Sequence, residues 1–113
     1  MAKVMILPEL VRQIQKIFKK KADKIYGLME ELEIFPRKGK ELGHIGNIVI
    51  KEIKYESFRF YFITDGHKLK CLTDEELRDL LIKFVRMSDK DTQQKTINEI
   101  KIILKKIGFE DFR

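Results

Sequence analysis

The side chains of this sequence with chemistry to offer are concentrated between Glu52 and Lys70. Outside the turn residues Glu56 and Asp65, they are one carboxylate, Glu52, the cations Lys54, Arg59, Lys68 and Lys70, and the aromatic Tyr61. Guanidinium and ammonium groups recognise phosphates and carboxylates through charge-assisted hydrogen bonds, and a carboxylate among them is a candidate for moving a proton. A second basic cluster, Arg37-Lys38-Gly39-Lys40, lies just upstream. It reads either as a solvated connector or, with Lys38 and Lys40 close to the start of a basic sheet, as a phosphate-contacting loop. The net charge of +6 and the pI near 9.4 imply an acidic partner, nucleic acid first and an acidic protein second.

For these side chains to converge, the stretch from Asn47 to Leu72 must form a sheet. β-Branched and aromatic residues fill runs bounded by Glu56-Ser57 and Asp65-Gly66, which predicts three antiparallel strands joined by two tight turns. Asp-Gly suits a two-residue loop that needs positive φ at both centres. That turn sets Thr64 opposite His67, Phe62 opposite Leu69, Tyr61 opposite Lys70 and Phe60 opposite Cys71. The Glu56-Ser57 turn likewise sets Tyr55 opposite Phe58 and Lys54 opposite Arg59. One face then carries Phe58, Phe60, Phe62, Leu69 and Cys71, a core face. The other carries Glu52, Lys54, Arg59, Tyr61, Ile63, Lys68 and Lys70, a basic, tyrosine-bearing surface around one acid.

The rest of the chain supplies the frame. With 113 residues it is expected to be one domain, residues 1–113, long enough to bury roughly two-thirds of its unfolded surface. Lys3 to Leu7 reads as a short edge strand, and Pro8 suits the first turn of a helix. Val11, Ile14, Phe18, Ala22, Ile25, Met29 and Leu32 recur at three- and four-residue steps, a helical stripe that faces the sheet. Lys19-Lys20-Lys21 marks either a solvated face of one helix or a bend between two. Phe35-Pro36 ends this segment. Thr73 and Glu76 stand at capping-box spacing, Leu80 to Val85 reads as a buried strand, and Asp91 with Gln94 suggests a second box. Ile97, Ile100, Ile103, Leu104 and Ile107 then form one face of a helix that Gly108 ends. The fold class is α+β: a small, antiparallel-rich sheet of about four or five strands with an N-terminal helical hairpin and a C-terminal helix.

Several classes lose support. Cys71 is the sole cysteine, so there is no internal disulfide and no multi-cysteine zinc site; on its expected face it is a core residue rather than a nucleophile. His44 reads as a loop residue. No P-loop, GxGxxG, HExxH or EF-hand spacing occurs, so neither a cofactor nor a metal is expected. Met1 to Leu7 is too short for a signal-peptide core and no run approaches the ~20 apolar residues of a membrane span. A cytoplasmic location is the default expectation.

The order of elements, with particular residues, resembles the RelE/HigB/ParE superfamily of small basic toxins from toxin-antitoxin modules. The resemblance runs over roughly Ala22 to Leu104. It is carried by the Gly39-Lys40-Glu41-Leu42 segment after the helices, the strand pair IKEIKYESFRFYF with Phe58-Arg59-Phe60-Tyr61, the Asp-Gly turn, and the stretch FVRMSDKDT. It implies a ribosome-dependent mRNA interferase, in which the RNA 2′-hydroxyl attacks the adjacent phosphate. By position, Arg59 matches the family's strand arginine, Lys54 a basic position on the preceding strand, and Arg86 the basic residue ending the late strand. In those roles Arg59 and Arg86 clamp the scissile phosphate. Lys54, Lys68, Lys70, Lys38, Lys40 and Lys90 add field and RNA contacts, and Tyr61 stacks on an unpaired base. Glu52 is a general-base candidate, although a salt bridge to Lys54 or Arg59 is its expected job. The late strand ends in Arg86-Met87-Ser88 where many nucleolytic members carry a tyrosine or histidine. The resemblance also implies a cognate antitoxin as partner and mRNA on the ribosome as substrate. Two other functions fit the same fold: a ParE-like gyrase inhibitor, and a non-catalytic basic module that pairs with an antitoxin.

Overall fold

Pro8 opens helix α1 (Pro8–Phe18), where its missing N–H costs nothing, and Leu10, Ile14 and Phe18 give that helix its buried stripe. Lys19 then adopts φ +51°, which a helix interior does not allow. One 3-10 turn, Lys19–Lys21, leads into α2 (Ala22–Glu30), whose Ala22, Ile25 and Met29 continue the stripe. The lysine run is therefore a bend between two helices, and Gln15 Nε2 donates to Tyr26 Oη at 3.1 Å to hold the pair together. In this computed structural model, which describes residues 1–113, the helices cover one face of a five-stranded sheet.

The strands are β1 (Lys3–Ile6), β2 (Lys40–Ile45), β3 (Ile48–Tyr55), β4 (Phe58–Asp65) and β5 (Leu81–Asp89), in the order β1-β5-β4-β3-β2. Only the β1–β5 pair is parallel. The Glu56-Ser57 turn has the expected register, with Tyr55 opposite Phe58 and Lys54 opposite Arg59. Phe18 packs edge-on against Phe58 and Tyr55, with ring centroids 5.0 and 5.9 Å apart, and this joins the helices to that end of the sheet.

The third strand of the expected meander does not form. Gly66–Cys71 is a short helix, α3, and the place beside β4 belongs to β5. Asp65 is its N-cap: the carboxylate accepts from Lys68 N at 3.0 Å, so Asp-Gly starts a helix rather than a hairpin. A strand beside β4 is central and buried on both faces, which LIKFV satisfies and HKLKC, with its exposed lysines, does not. Lys68 and Lys70 therefore leave the sheet. Cys71, expected in the core, is exposed, with Sγ 3.8 Å from His67 Nδ1.

The second face is also covered, along most of its length. Helix α4 (Gln93–Ile107) crosses it and buries Ile97, Ile100 and Leu104 over a floor that includes Ile50 and Ile63. At Gly43 a Cβ would lie 3.2 Å from Lys101 Cε, so the helix and β2 are in contact there. Asp89, rather than an Asp91–Gln94 box, organises the approach to α4. Its Oδ1 accepts from Asp91 N and Thr92 N at 2.9 Å and from Thr92 Oγ1 at 3.0 Å, and the Thr92 bonds hold its carboxyl below the usual carboxylate range. The Thr73–Glu76 capping box does form, and Gly108, at φ +77°, ends α4.

Two substitutions test this frame. Gly39 has φ +103°, and a Cβ there would lie 2.8 Å from Phe62 Cζ and 3.1 Å from the Glu52 carbonyl oxygen. Gly39→Ala is expected to cost about 2 kcal/mol or more in urea unfolding, from backbone strain together with overpacking of a buried ring. Asp65→Ala removes the α3 cap and should cost about 1 kcal/mol, with Asp65→Asn close to wild type.

Candidate functional site

Register decides which side chains meet at the open end of the second face. Lys40 is opposite Glu52, Glu52 opposite Tyr61, and Tyr61 opposite Arg86, so these four form one row across β2, β3, β4 and β5. The next row toward the Glu56-Ser57 turn is Lys54, Arg59 and Ser88. Strict alternation from Phe84 would send Arg86 to the helical-hairpin face. The register slips between Tyr61 and Phe62, Val85 is the extra residue, and the bulge turns Arg86 and Ser88 onto the face of Arg59 and Tyr61.

Glu52 is 2% exposed and the Arg59 side chain 14%. Glu52 Oε2 and Arg59 Nε are 3.9 Å apart, close enough for charge attraction but too far for a hydrogen bond, and neither atom has a hydrogen-bond partner. Glu52 is thus a buried counter-charge under Arg59 and has no open path to a substrate hydroxyl. Arg59 Nη1 donates to the Ser57 carbonyl at 3.1 Å, while Nη2 makes no hydrogen bond within the protein and is not sealed from solvent. Lys54, directly across from it, is exposed and makes no ion pair.

Arg86 contrasts with Arg59. Its Nε donates to Glu99 Oε1 on α4 at 2.7 Å, Nη1 to the Val85 carbonyl at 2.7 Å and Nη2 to the Arg113 carbonyl at 3.0 Å, and its guanidinium lies over the Phe112 ring. Expected to share a phosphate clamp, it here ties β5, α4 and the C-terminal segment together. Tyr61, expected to offer its ring to a base, is fully buried, and its hydroxyl shares a 2.7 Å hydrogen bond with Ser88 Oγ. Burial pushes the phenol pKa up, with Glu52 and Asp89 adding to the rise against Ser88 and Arg59, so it is protonated at neutral pH. The ring is fixed below α4 and cannot stack where it stands.

The remaining predicted contacts divide. Lys40 is exposed at the start of β2, in the Glu52 row, and Lys90 is exposed beyond the end of β5. Lys38 pairs with Glu31 at 2.8 Å, and Arg37 bonds Asp74 and the carbonyls of Leu69 and Leu72. Arg37 thus staples the loop to the α3 region, and Lys38 holds it to the turn that follows α2. Lys68 and Lys70 are on α3 and outside both rows. The site as built is Arg59, Lys54 and Lys40 at the surface, Glu52 and Tyr61–Ser88 beneath. Ser88 is the member that sequence reasoning missed. No local signal marks a serine as a tyrosine's partner across a bulge.

No helix is long and apolar enough to cross a membrane. No protein-family model matches the chain, and no curated protein sequence matches it. Two solved structures are similar in backbone. The RelE–RelB complex of the archaeon Pyrococcus horikoshii contains a chain that is 15% identical, with 79% of this chain and 94% of that one covered at a TM-score of 0.60. The isolated E. coli RelE toxin is 11% identical, with 87% and 97% covered at 0.48. The first of these carries the assignment that the element order and the five-stranded sheet already suggested: this chain has the fold of the RelE toxins.

Proposed function

We propose that this protein is the toxin of a type II toxin-antitoxin module and acts as a ribosome-dependent mRNA interferase. The observation that carries the reading is Arg59. Of the two guanidiniums in the rows it is the one with a nitrogen, Nη2, that makes no hydrogen bond in the protein and is open to solvent; it is seated on a buried acid and flanked by the free ammonium of Lys54. A scissile phosphate at that end of the sheet would receive Arg59 Nη2, with Lys54 beside it. As the RNA 2′-hydroxyl passes its proton to solvent water and attacks phosphorus, negative charge grows on the equatorial oxygens, and these donors stabilise it while the bond to the 5′-oxygen breaks and water protonates that oxygen. Glu52 acts through Arg59 as a positioning residue, and Lys40 and Lys90 extend the positive field along the strand ends. The archaeal RelE in the similar structure is bound to RelB, which supports an antitoxin partner for this chain as well. A binding-only toxin, such as a gyrase inhibitor, is the second reading. The commitment of Arg86 and the burial of Tyr61 favour it, because both leave fewer groups for proton transfer.

Induced expression followed by mapping of mRNA 5′ ends separates the two. Growth arrest with new cuts inside translated codons is the interferase outcome; arrest with intact mRNA belongs to the binding-only toxin. Arg59→Ala should lower cleavage by about 10²–10³-fold, the usual loss when one transition-state donor is removed. Arg86→Ala is expected to act mainly on folding, with a lower urea midpoint and a smaller loss of cleavage per folded molecule. Equal loss from both at equal stability would restore Arg86 to the phosphate. Tyr61→Phe should cost about 1 kcal/mol of stability, for one buried hydrogen bond, and leave cleavage nearly unchanged.

A further inference from the structure

The bend between α1 and α2 belongs to the same end of the molecule as the open rows. Phe18 packs on Phe58, and Lys21 Nζ lies 3.5 Å from Glu56 Oε1 in the β3–β4 turn. Lys54 is two residues from Glu56 along β3, or about 7 Å. The lysine triplet and the Lys54–Arg59 pair are therefore neighbours around one turn, although they sit on opposite faces of the sheet. Lys16, Lys19, Lys20, Lys21 and Lys24 are all exposed, and Asp23 is the only acid among residues 16–24. Like charges this close repel one another. Glu56 is the one ion-pair partner any of the five has, and that pair is half-exposed. Between the triplet and the turn runs an open groove of about 540 Å³, with Ile17, Phe18 and Phe58 as its apolar floor and Lys19, Lys20, Lys21 and Glu56 on its rim.

We infer that this groove is a second RNA subsite: Lys19, Lys20 and Lys21 hold backbone phosphates away from the scissile one, and the RNA passes around the Glu56-Ser57 turn between them and Arg59. The inference rests on the RNA reading of Arg59 and Lys54 and extends it. An apolar floor with a cationic rim suits a single strand, whose bases can leave the stack while its phosphates stay in the positive field. Glu56 is the feature that opposes binding, since it occupies Lys21 and places a carboxylate where the strand must cross. The phosphates are those of the strand that is cut at Arg59, so the groove and the scissile site belong to one RNA.

The test uses the purified full chain, a single-stranded 2′-O-methyl RNA 12-mer that cannot be cut, and ribosomes without mRNA. Replacing the triplet by glutamine (K19Q/K20Q/K21Q) keeps helix propensity and should lower 12-mer affinity about tenfold. It should also make the slope of log affinity against log salt shallower by about 2, the value for three fewer phosphate contacts on a single strand. Glu56→Gln should move affinity the other way, a gain that misfolding cannot produce. A loss confined to empty ribosomes overturns the inference and assigns the lysines to ribosomal RNA. If neither ligand responds to the triplet or to Glu56→Gln while Arg59→Ala weakens binding, the subsite is wrong and the Arg59 reading stands. Indifference of both ligands to all three changes overturns the two together.

Discussion

The arrangement of the site depends on one extra residue in β5. Val85 interrupts the alternation of the strand opposite the Tyr61–Phe62 step, so Phe84 and Met87 both face the helical hairpin while Arg86 and Ser88 both face α4. Without the bulge, Phe84 pointing into the core would force Met87 and Asp89 onto the α4 face and bury Arg86 among Phe18, Phe60 and the hairpin. A charged guanidinium has no partner there. With it, Ser88 meets the Tyr61 hydroxyl, Arg86 reaches Glu99, and the chain emerges at Asp89 in position to cap the approach to α4. The bulge costs one interrupted ladder position and in return sets the attachment of the C-terminal helix. The open end of the sheet exists because α4 begins where that attachment puts it.

How much of this was legible in the sequence follows from which interactions are local. The amphipathic stripe from Ile14 to Leu32, the Glu56-Ser57 register, the Thr73–Glu76 box and the Gly108 stop depend on neighbours within a few residues, and the sequence states them; at the start of the stripe Leu10 is buried where Val11 was expected. Asp65-Gly66 was misread because the dipeptide is equally compatible with a hairpin and with a helix cap. The choice is made by β5, some twenty residues downstream, which competes for the same edge of β4 with a more apolar run. That single misreading moved Lys68 and Lys70 onto the site and left α4 without a face to cover, which made Tyr61 look exposed. Lys54 and Arg59 were placed correctly, since their pairing needs only the tight turn between them.

Cation accounting separates structure from function more cleanly than residue type does. Lys51 and Lys83 point inward, and burial lowers the pKa of each, against the opposing pull of Glu41 on the first and of Asp111 and Glu110 on the second. Each is satisfied by backbone: Lys51 by the Arg37 carbonyl at 2.9 Å, Lys83 by the Phe109 and Glu110 carbonyls at 2.7 and 3.2 Å. Together with Arg37 and Arg86 they fasten the long loop and the C-terminal segment to the sheet, work that a small core with few long helices cannot do by apolar contact alone. Exposed lysines without an ion pair also stand on α3 and α4, but one group of cations surrounds the β3–β4 turn, with Arg59 and Lys54 on one side, the lysine bend on the other and a single acid, Glu56, between them. Four cations are spent on the protein's own carbonyls and carboxylates, whereas Lys19, Lys20 and Lys54 around this turn have no ion-pair partner, which leaves their ammonium groups open to an anionic ligand.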